Sequence, residues 1–184
     1  MGLRNLPHKQ LGPLISAYLS TQESIDTADK IRKLRPARDR GYLTPSELEV
    51  VCRWKSPRAL RYIKNNSAFR VRKATKRALT TRSERAKLQA LTELNGVSVP
   101  MASAMLMLLN PRRYGVIDIR VWQLLHALGA VTKKPRGTGF NFKNWYQFLR
   151  IIRYFAKRHG VNARDIERTL FLAHQRYQKG KLYD

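Results

Sequence analysis

The sequence holds one cysteine, Cys52, in 184 residues. A single thiol excludes an internal disulfide framework, a Cys-ligated zinc site and an iron–sulfur cluster. The four histidines, His8, His126, His159 and His174, show no metal-ligand spacing, so no metal site is expected. Long apolar runs are missing too. The longest, Val99 to Leu109, is too short to cross a bilayer. The opening residues, MGLRNLPHKQ, lack the apolar segment of a secretory signal, so the expectation is a cytoplasmic protein. No run of alternating β-branched residues marks a strand.

Acidic residues are scarce: 12 Asp and Glu face 37 Lys and Arg, a formal charge of +25. Solubility needs far less, and an excess this large repels itself unless a polyanion is near. Nucleic acid is the leading partner class. A membrane surface is disfavoured because no segment reads as a basic anchor with a broad apolar face. An apolar fraction of 43% argues against a disordered basic tail.

What is present is helical periodicity. Leu11, Leu14, Ile15, Tyr18 and Leu19 share one helix face, and Ile25, Ala28, Ile31 and Leu34 a second. Thr44-Pro45-Ser46-Glu47 has the form of a capping box with Pro at the first helical position. Ser56-Pro57 repeats a start signal. Arg70, Arg72, Lys73, Lys76 and Arg77 lie in a basic helix and read as general electrostatic surface. Thr81 and Glu84 form another capping-box pattern ahead of Leu88, Leu91 and Leu94. The segment Met101–Leu109 is apolar all round, which marks a central helix. A Lys/Gly/Pro-rich loop at 132–144 precedes two C-terminal helices, about Trp145–Arg158 and Ala163–Tyr177.

The informative stretch runs from Leu88 to Leu125: helix, tight turn at Asn95–Pro100, apolar helix, basic turn, then a short apolar segment ending in Asp118. The turn leaves helix-start N–H groups unpaired, and Gly96 lets a phosphate approach the backbone. Asp118 lies between Ile117 and Ile119, close in sequence to Arg112, Arg113 and Arg120, and directly before a helical pattern. It is expected to cap that helix and to stay ionised under the helix dipole and its basic neighbours.

At these residues the sequence resembles the helix–hairpin–helix DNA glycosylases. The pattern LxxLxGVxxxxAxxxL, followed 22 residues after Gly96 by an apolar-apolar-Asp, looks like that superfamily's hairpin and catalytic aspartate. Trp54-Lys55-Ser56-Pro57-Arg58 is similar to a segment of a poorly characterised bacterial branch. The resemblance implies an all-α, two-lobed fold over residues 1–184. One helical lobe would cover about 10–110 and hold the hairpin at 85–109. The second, about 111–184, would start with the Asp118 segment. It also implies a phosphate grip by Asn95, Gly96, Val97, Ser98 and Val99, with a monovalent cation on the hairpin carbonyls and no other cofactor. Ser98 stands where the family usually has a second glycine. Asp118 falls on the catalytic carboxylate. Pro100 occupies the place where lyase-active members carry a lysine, so the chain resembles the monofunctional members.

Further candidates follow from what such chemistry needs. A base leaves the duplex to be cut, so stacking surfaces are required: Trp54, Tyr114 and Trp122 are the pocket candidates, and Gln22 the wedge. Lys55, Arg58, Arg112 and Arg113 are phosphate candidates. The expected activity is hydrolysis of the N-glycosidic bond of a damaged or modified base in duplex DNA, in repair or in defence against phage DNA, by a nucleoid-associated monomer without an obligate protein partner. The rivals are a DNA-binding helix–hairpin–helix module without chemistry and an RNA-binding protein.

Overall fold

In the computed structural model, the structure describes residues 3, 6–178 and 182. Among them it is all-α: ten α-helices, one 3-10 turn and no strand. No helix of these residues is long and apolar enough to cross a membrane. The helices group into two units. One is continuous, Glu23–Pro111; the other joins Met1–Gln22 to Arg112–Asp184. The N-terminal helix thus departs from the expected 10–110 lobe. α1 (Leu11–Tyr18) packs on α10 (Ala163–Tyr177), because Leu14 and Ile15 find their apolar cover there. The Ser20 N–H donates to Thr169 Oγ1 at 3.0 Å, Arg168 donates to Ser20 Oγ at 2.7 Å, and the Tyr18 and Tyr177 hydroxyls meet.

The continuous unit is built around α7 (Val99–Leu109). Every residue from Met101 to Leu109 is buried, as its all-round apolar sequence requires. Around it pack α2 (Ile25–Arg40), α3 (Pro45–Lys55) and α6 (Glu84–Thr92). The Thr44 capping box forms as read: Thr44 Oγ1 accepts from the Glu47 N–H at 3.3 Å, and Glu47 Oε2 accepts from the Thr44 N–H at 2.7 Å. Arg40 donates to the same Glu47 oxygen at 2.6 Å. After α3, Pro57–Ala59 makes the 3-10 turn, and α4 (Leu60–Ile63) and α5 (Ala68–Thr80) follow.

Two local readings are corrected. Ser83, not Thr81, caps α6, its Oγ accepting from the Ala86 N–H at 3.3 Å. Thr81 instead is the C-cap of α5. On α2 the buried residues are Thr27, Leu34 and Ala37, whereas Ile25 is 83% exposed and Ala28 is also exposed. Polar Thr27 takes the inward position, its hydroxyl accepting from the Ser24 hydroxyl and from the half-buried Trp54 indole.

The discontinuous unit stacks α8 (Ile119–Ala127), α9 (Phe142–His159) and α1 against α10. Trp122, Trp145, Phe148, Ile152, Ile166 and Leu170 fill its core. α9 begins a turn earlier than the apolar spacing indicated, because Asn141 and Asn144 cap each other's backbone N–H groups at 3.2 and 3.1 Å.

His174 of α10 is fully buried. Its Nε2 pairs with Gln123 Oε1 at 3.0 Å and its Nδ1 faces an Arg120 guanidinium nitrogen at 3.4 Å. Donation to the Gln123 oxygen leaves Nδ1 to accept from Arg120, which is the neutral ring. Burial and the Arg120 charge push the imidazole down from 6.5 to about 4. The unfolded chain therefore binds the proton more readily. The stability that His174 contributes is complete above pH 6.5 and is lost as pH falls towards 4. His174→Gln should reduce the loss of unfolding free energy between pH 7 and pH 4.5 by about 2 kcal/mol, measured by urea titration at each pH. An unchanged pH dependence in the variant would refute this assignment.

Candidate functional site

The hairpin forms in the continuous unit, between α6 and α7. Val97 turns inward and is buried, its N–H donating to Leu94 O at 3.1 Å, while Asn95 and Ser98 are exposed. Ser98 caps α7, its hydroxyl 3.5 Å from the Met101 N–H. Among the described residues, no acceptor stands against the N–H groups of Gly96, Ser98 and Val99. Three donors at the positive end of an apolar helix make a surface suited to an anion.

Gly96 adopts a φ of +78°, which accounts for glycine there. Its second function differs from the one read in the sequence. A Cβ on Gly96 would sit 2.9 Å from Tyr62 Cβ, 3.1 Å from Ile63 N and 3.2 Å from Ala59 O. That side of the glycine is filled by protein, so its smallness serves backbone packing against the Pro57–Ile63 segment. The same packing brings the turn that carries Arg58 up to the hairpin. Arg58 is exposed, and Lys55, at the end of α3, is half-buried.

A residue that periodicity did not reveal holds the turn. Asn66, which is buried, donates through Nδ2 to Asn95 O at 3.0 Å and to Ile63 O at 2.8 Å, and accepts from the Asn95 N–H at 2.9 Å. Its place in Asn65-Asn66-Ser67 reads as an ordinary turn. The basic helix α5 also does more than read in the sequence: Arg70 donates to Glu93 O at 3.0 Å and Arg77 grips the Glu93 carboxylate at 3.0 Å, both at the end of α6. A groove of about 540 Å³ lies in this unit between α2 and the end of α7, floored by Ile31, Leu108 and Leu109, with Arg32, Arg35 and Arg38 among its lining.

Asp118 belongs to the other unit. It is half-buried and is the N-cap of α8, its Oδ1 accepting from the Val121 N–H at 3.0 Å. The extended segment before it is buried and pinned to its neighbours. Arg112 O accepts from the Ala163 N–H at 3.2 Å, and Arg113 O from Arg153 Nε at 2.9 Å. The Val116 N–H donates to Glu167 Oε2 at 3.2 Å. The side chains of Arg112 and Arg113 remain exposed.

Glu167 was not singled out in the sequence. It is 2% exposed, paired with Arg164, and packed so closely that a Cβ on Gly115 would meet its own Cβ at 2.6 Å. Burial pushes its carboxyl up. The Arg164 guanidinium pulls it back and the nearby Asp118 carboxylate pushes it further up. Gly137, with a φ of +68°, lays the 132–141 loop against the start of α8, its missing Cβ only 3.0 Å from Ile119 O.

Of the three aromatic candidates, Tyr114 and Trp122 lie in the discontinuous unit and Trp54 in the continuous one. Trp122 is fully buried, donates its Nε1–H to Lys133 O at 3.0 Å and meets Phe140 edge-on at 5.3 Å. Tyr114 is buried between Trp145, stacked at 6.4 Å, and the Arg153 guanidinium at 5.0 Å. Both serve the core of the discontinuous unit. Trp54, in the continuous unit, is half-buried and donates to Thr27 Oγ1 at 3.2 Å. Gln22 is exposed in the connection between α1 and α2. Among the described residues, no three ligand-type side chains cluster as a metal site would require.

Comparison with family models, with curated proteins and with solved structures returned no match.

Asn66→Ala removes two hydrogen bonds to Asn95 of the hairpin and one to Ile63. It should lower the unfolding free energy by about 1–3 kcal/mol and speed amide exchange at Val97. Glu167→Ala leaves Arg164 without its buried partner and should cost about 3–5 kcal/mol. Glu167→Gln, which still accepts from Val116, should cost less. Urea titrations check both, and equal stability of wild type and variants would remove these residues from the scaffold.

Proposed function

We propose that the chain is a monofunctional DNA glycosylase of helix–hairpin–helix type, hydrolysing the N-glycosidic bond of a damaged or modified base and leaving an abasic site. The observation that carries the reading is Asp118, a partly exposed carboxylate held at a helix start by a braced extended segment, 22 residues after a hairpin with three unaccepted N–H groups.

In this reading the hairpin N–H groups bind a backbone phosphate. Arg58, Arg112 and Arg113 add sequence-independent attraction. Scission of the base–sugar bond builds positive charge on the sugar, as in glycoside hydrolysis. The Asp118 carboxylate stabilises that charge and orients the attacking water. Water supplies a hydroxyl to the sugar carbon, and the base departs with the bonding electrons and a proton. Pro100 offers no amine, so no Schiff base forms at that position. Duplex DNA is the partner and water the co-substrate. A monovalent cation on the hairpin carbonyls belongs to the same reading.

A second reading has its own support. The bond from the Val121 N–H to Asp118 Oδ1 gives the aspartate a complete structural role as a cap. A DNA-binding module without chemistry would need nothing more of it.

Asparagine caps helices about as well as aspartate. Asp118→Asn should therefore keep the fold and DNA affinity while abolishing alkali-dependent strand breaks in duplexes carrying damaged or modified bases. Breaks that persist in the variant would refute the catalytic assignment. Tight binding without breaks on any substrate would establish the second reading. If roughly five to eight phosphates are neutralised, log K should fall with log salt at a slope of about −4.5 to −7. A flat response in a filter-binding titration would contradict the electrostatic part of both readings.

A further inference from the structure

The discontinuous unit carries a feature that the hairpin and Asp118 leave unexplained. Between Asp118 and Asp165 the chain has ten Lys and Arg and no acid. Among the described residues of this unit, Asp165 and Glu167 are buried and Asp118 is half-buried, so none offers an exposed carboxylate.

α9 displays this charge in an ordered way. Its inner face is Trp145, Phe148, Leu149, Ile152 and Ala156, all buried. Its outer face reads Lys143, Tyr146, Arg150, Tyr154 and Lys157, all exposed. The spacings are three, four, four and three. At 3.6 residues per turn they fall within one stripe about 80° wide and about 21 Å long. Cation and ring alternate along it. Tyr146 is 40% and Tyr154 59% exposed, and Phe142 stacks on Tyr146 at 5.4 Å, with the rings 16° apart. Beside the stripe lies an open groove of about 910 Å³, with Leu11, Ile151 and Phe155 among its apolar lining.

We infer that this stripe is a binding site for single-stranded nucleic acid. The two rings each stack on a base of the same strand, with at least one nucleotide between those bases, and Lys143, Arg150 and Lys157 follow the backbone. The two tyrosines are about 12 Å apart along the helix, with Arg150 midway. A paired duplex shows no open base face to rings set this way. A lipid surface wants a continuous apolar face outward, whereas the apolar face of α9 is turned in and its rings are separated by charges. The inference rests on the nucleic-acid half of the function proposed above and not on the chemistry at Asp118.

The test is equilibrium binding, read by fluorescence anisotropy, of labelled oligo(dT) and oligo(U) of about fifteen nucleotides. A hairpin-free duplex of the same length and vesicles of anionic phospholipid are run alongside. Tyr146→Ala/Tyr154→Ala should weaken oligonucleotide binding about 10- to 100-fold. Tyr146→Phe/Tyr154→Phe should retain it, duplex affinity should change little, and circular dichroism should stay that of wild type. A preference for oligo(dT) over oligo(U), or the reverse, identifies which strand the site serves. Equal single-strand binding by wild type and the Ala variant overturns the inference. So does a matching loss on duplex, which would reduce the stripe to general electrostatics, and so does vesicle binding that depends on the tyrosines without strand binding. No base excision enters the readout, so a failed glycosylase assay and a failed single-strand site are told apart.

Discussion

Irregular backbone packed inside a helical protein must find hydrogen-bond partners, because a buried N–H or carbonyl without one costs about as much as a broken bond. Both candidate elements of this molecule depend on that constraint, and each meets it with one buried polar side chain. Asn66 closes on Asn95 from both sides, leaving the following N–H groups turned out. Glu167 accepts from Val116 and holds the strand-like approach to Asp118. In each case a glycine lets the brace come close, Gly96 against the Ala59–Ile63 backbone and Gly115 against the Glu167 stem. The exposed groups are placed by groups that are not exposed.

The sequence is most readable where structure is local. The Thr44 box, the inward face of α1 and the all-apolar α7 are patterns of a few consecutive residues, and they form as read. The hairpin is legible for the same reason: a glycine at positive φ and a serine cap lie within three residues of each other. Long-range placement is where reading fails. Trp122 beside an aspartate reads either as a stacking surface or as core, and its neighbours in space, Phe140 and the Lys133 carbonyl, which only the loop return supplies, decide for the core. Asn66 and Glu167 carry no signal because their partners lie 29 and 51 residues away. A glutamate in a helix reads as solvated surface, and its burial becomes intelligible only beside Arg164 and Val116.

The few acids are used unevenly. In the continuous unit they pair with basic neighbours on the surface, as in Asp26–Lys30, Asp29–Arg32 and Glu49–Arg53. Such pairs add little stability, but they soften the local field. In the discontinuous unit Asp165 caps α10 through the Asn162 N–H, Asp118 caps α8 and Glu167 sits in the core. Few of its described carboxylates are left at the surface to face its cations. The field of the molecule is therefore shaped as much by where carboxylates are withdrawn as by where lysine and arginine stand.

The chain path also bears on how the molecule is made. Glu23–Pro111 is an unbroken segment inserted into a unit whose first helix and last three helices lie at opposite ends of the sequence. During synthesis the inserted segment, with α7 as its centre, can close as soon as it leaves the ribosome. α1 is made before the inserted segment and docks after it. Its apolar face, Leu14 and Ile15, and the Tyr18 hydroxyl wait for α10, which the chain supplies only after the inserted segment, α8 and α9. The nascent chain thus carries an open apolar helix ahead of the inserted segment until α10 is made.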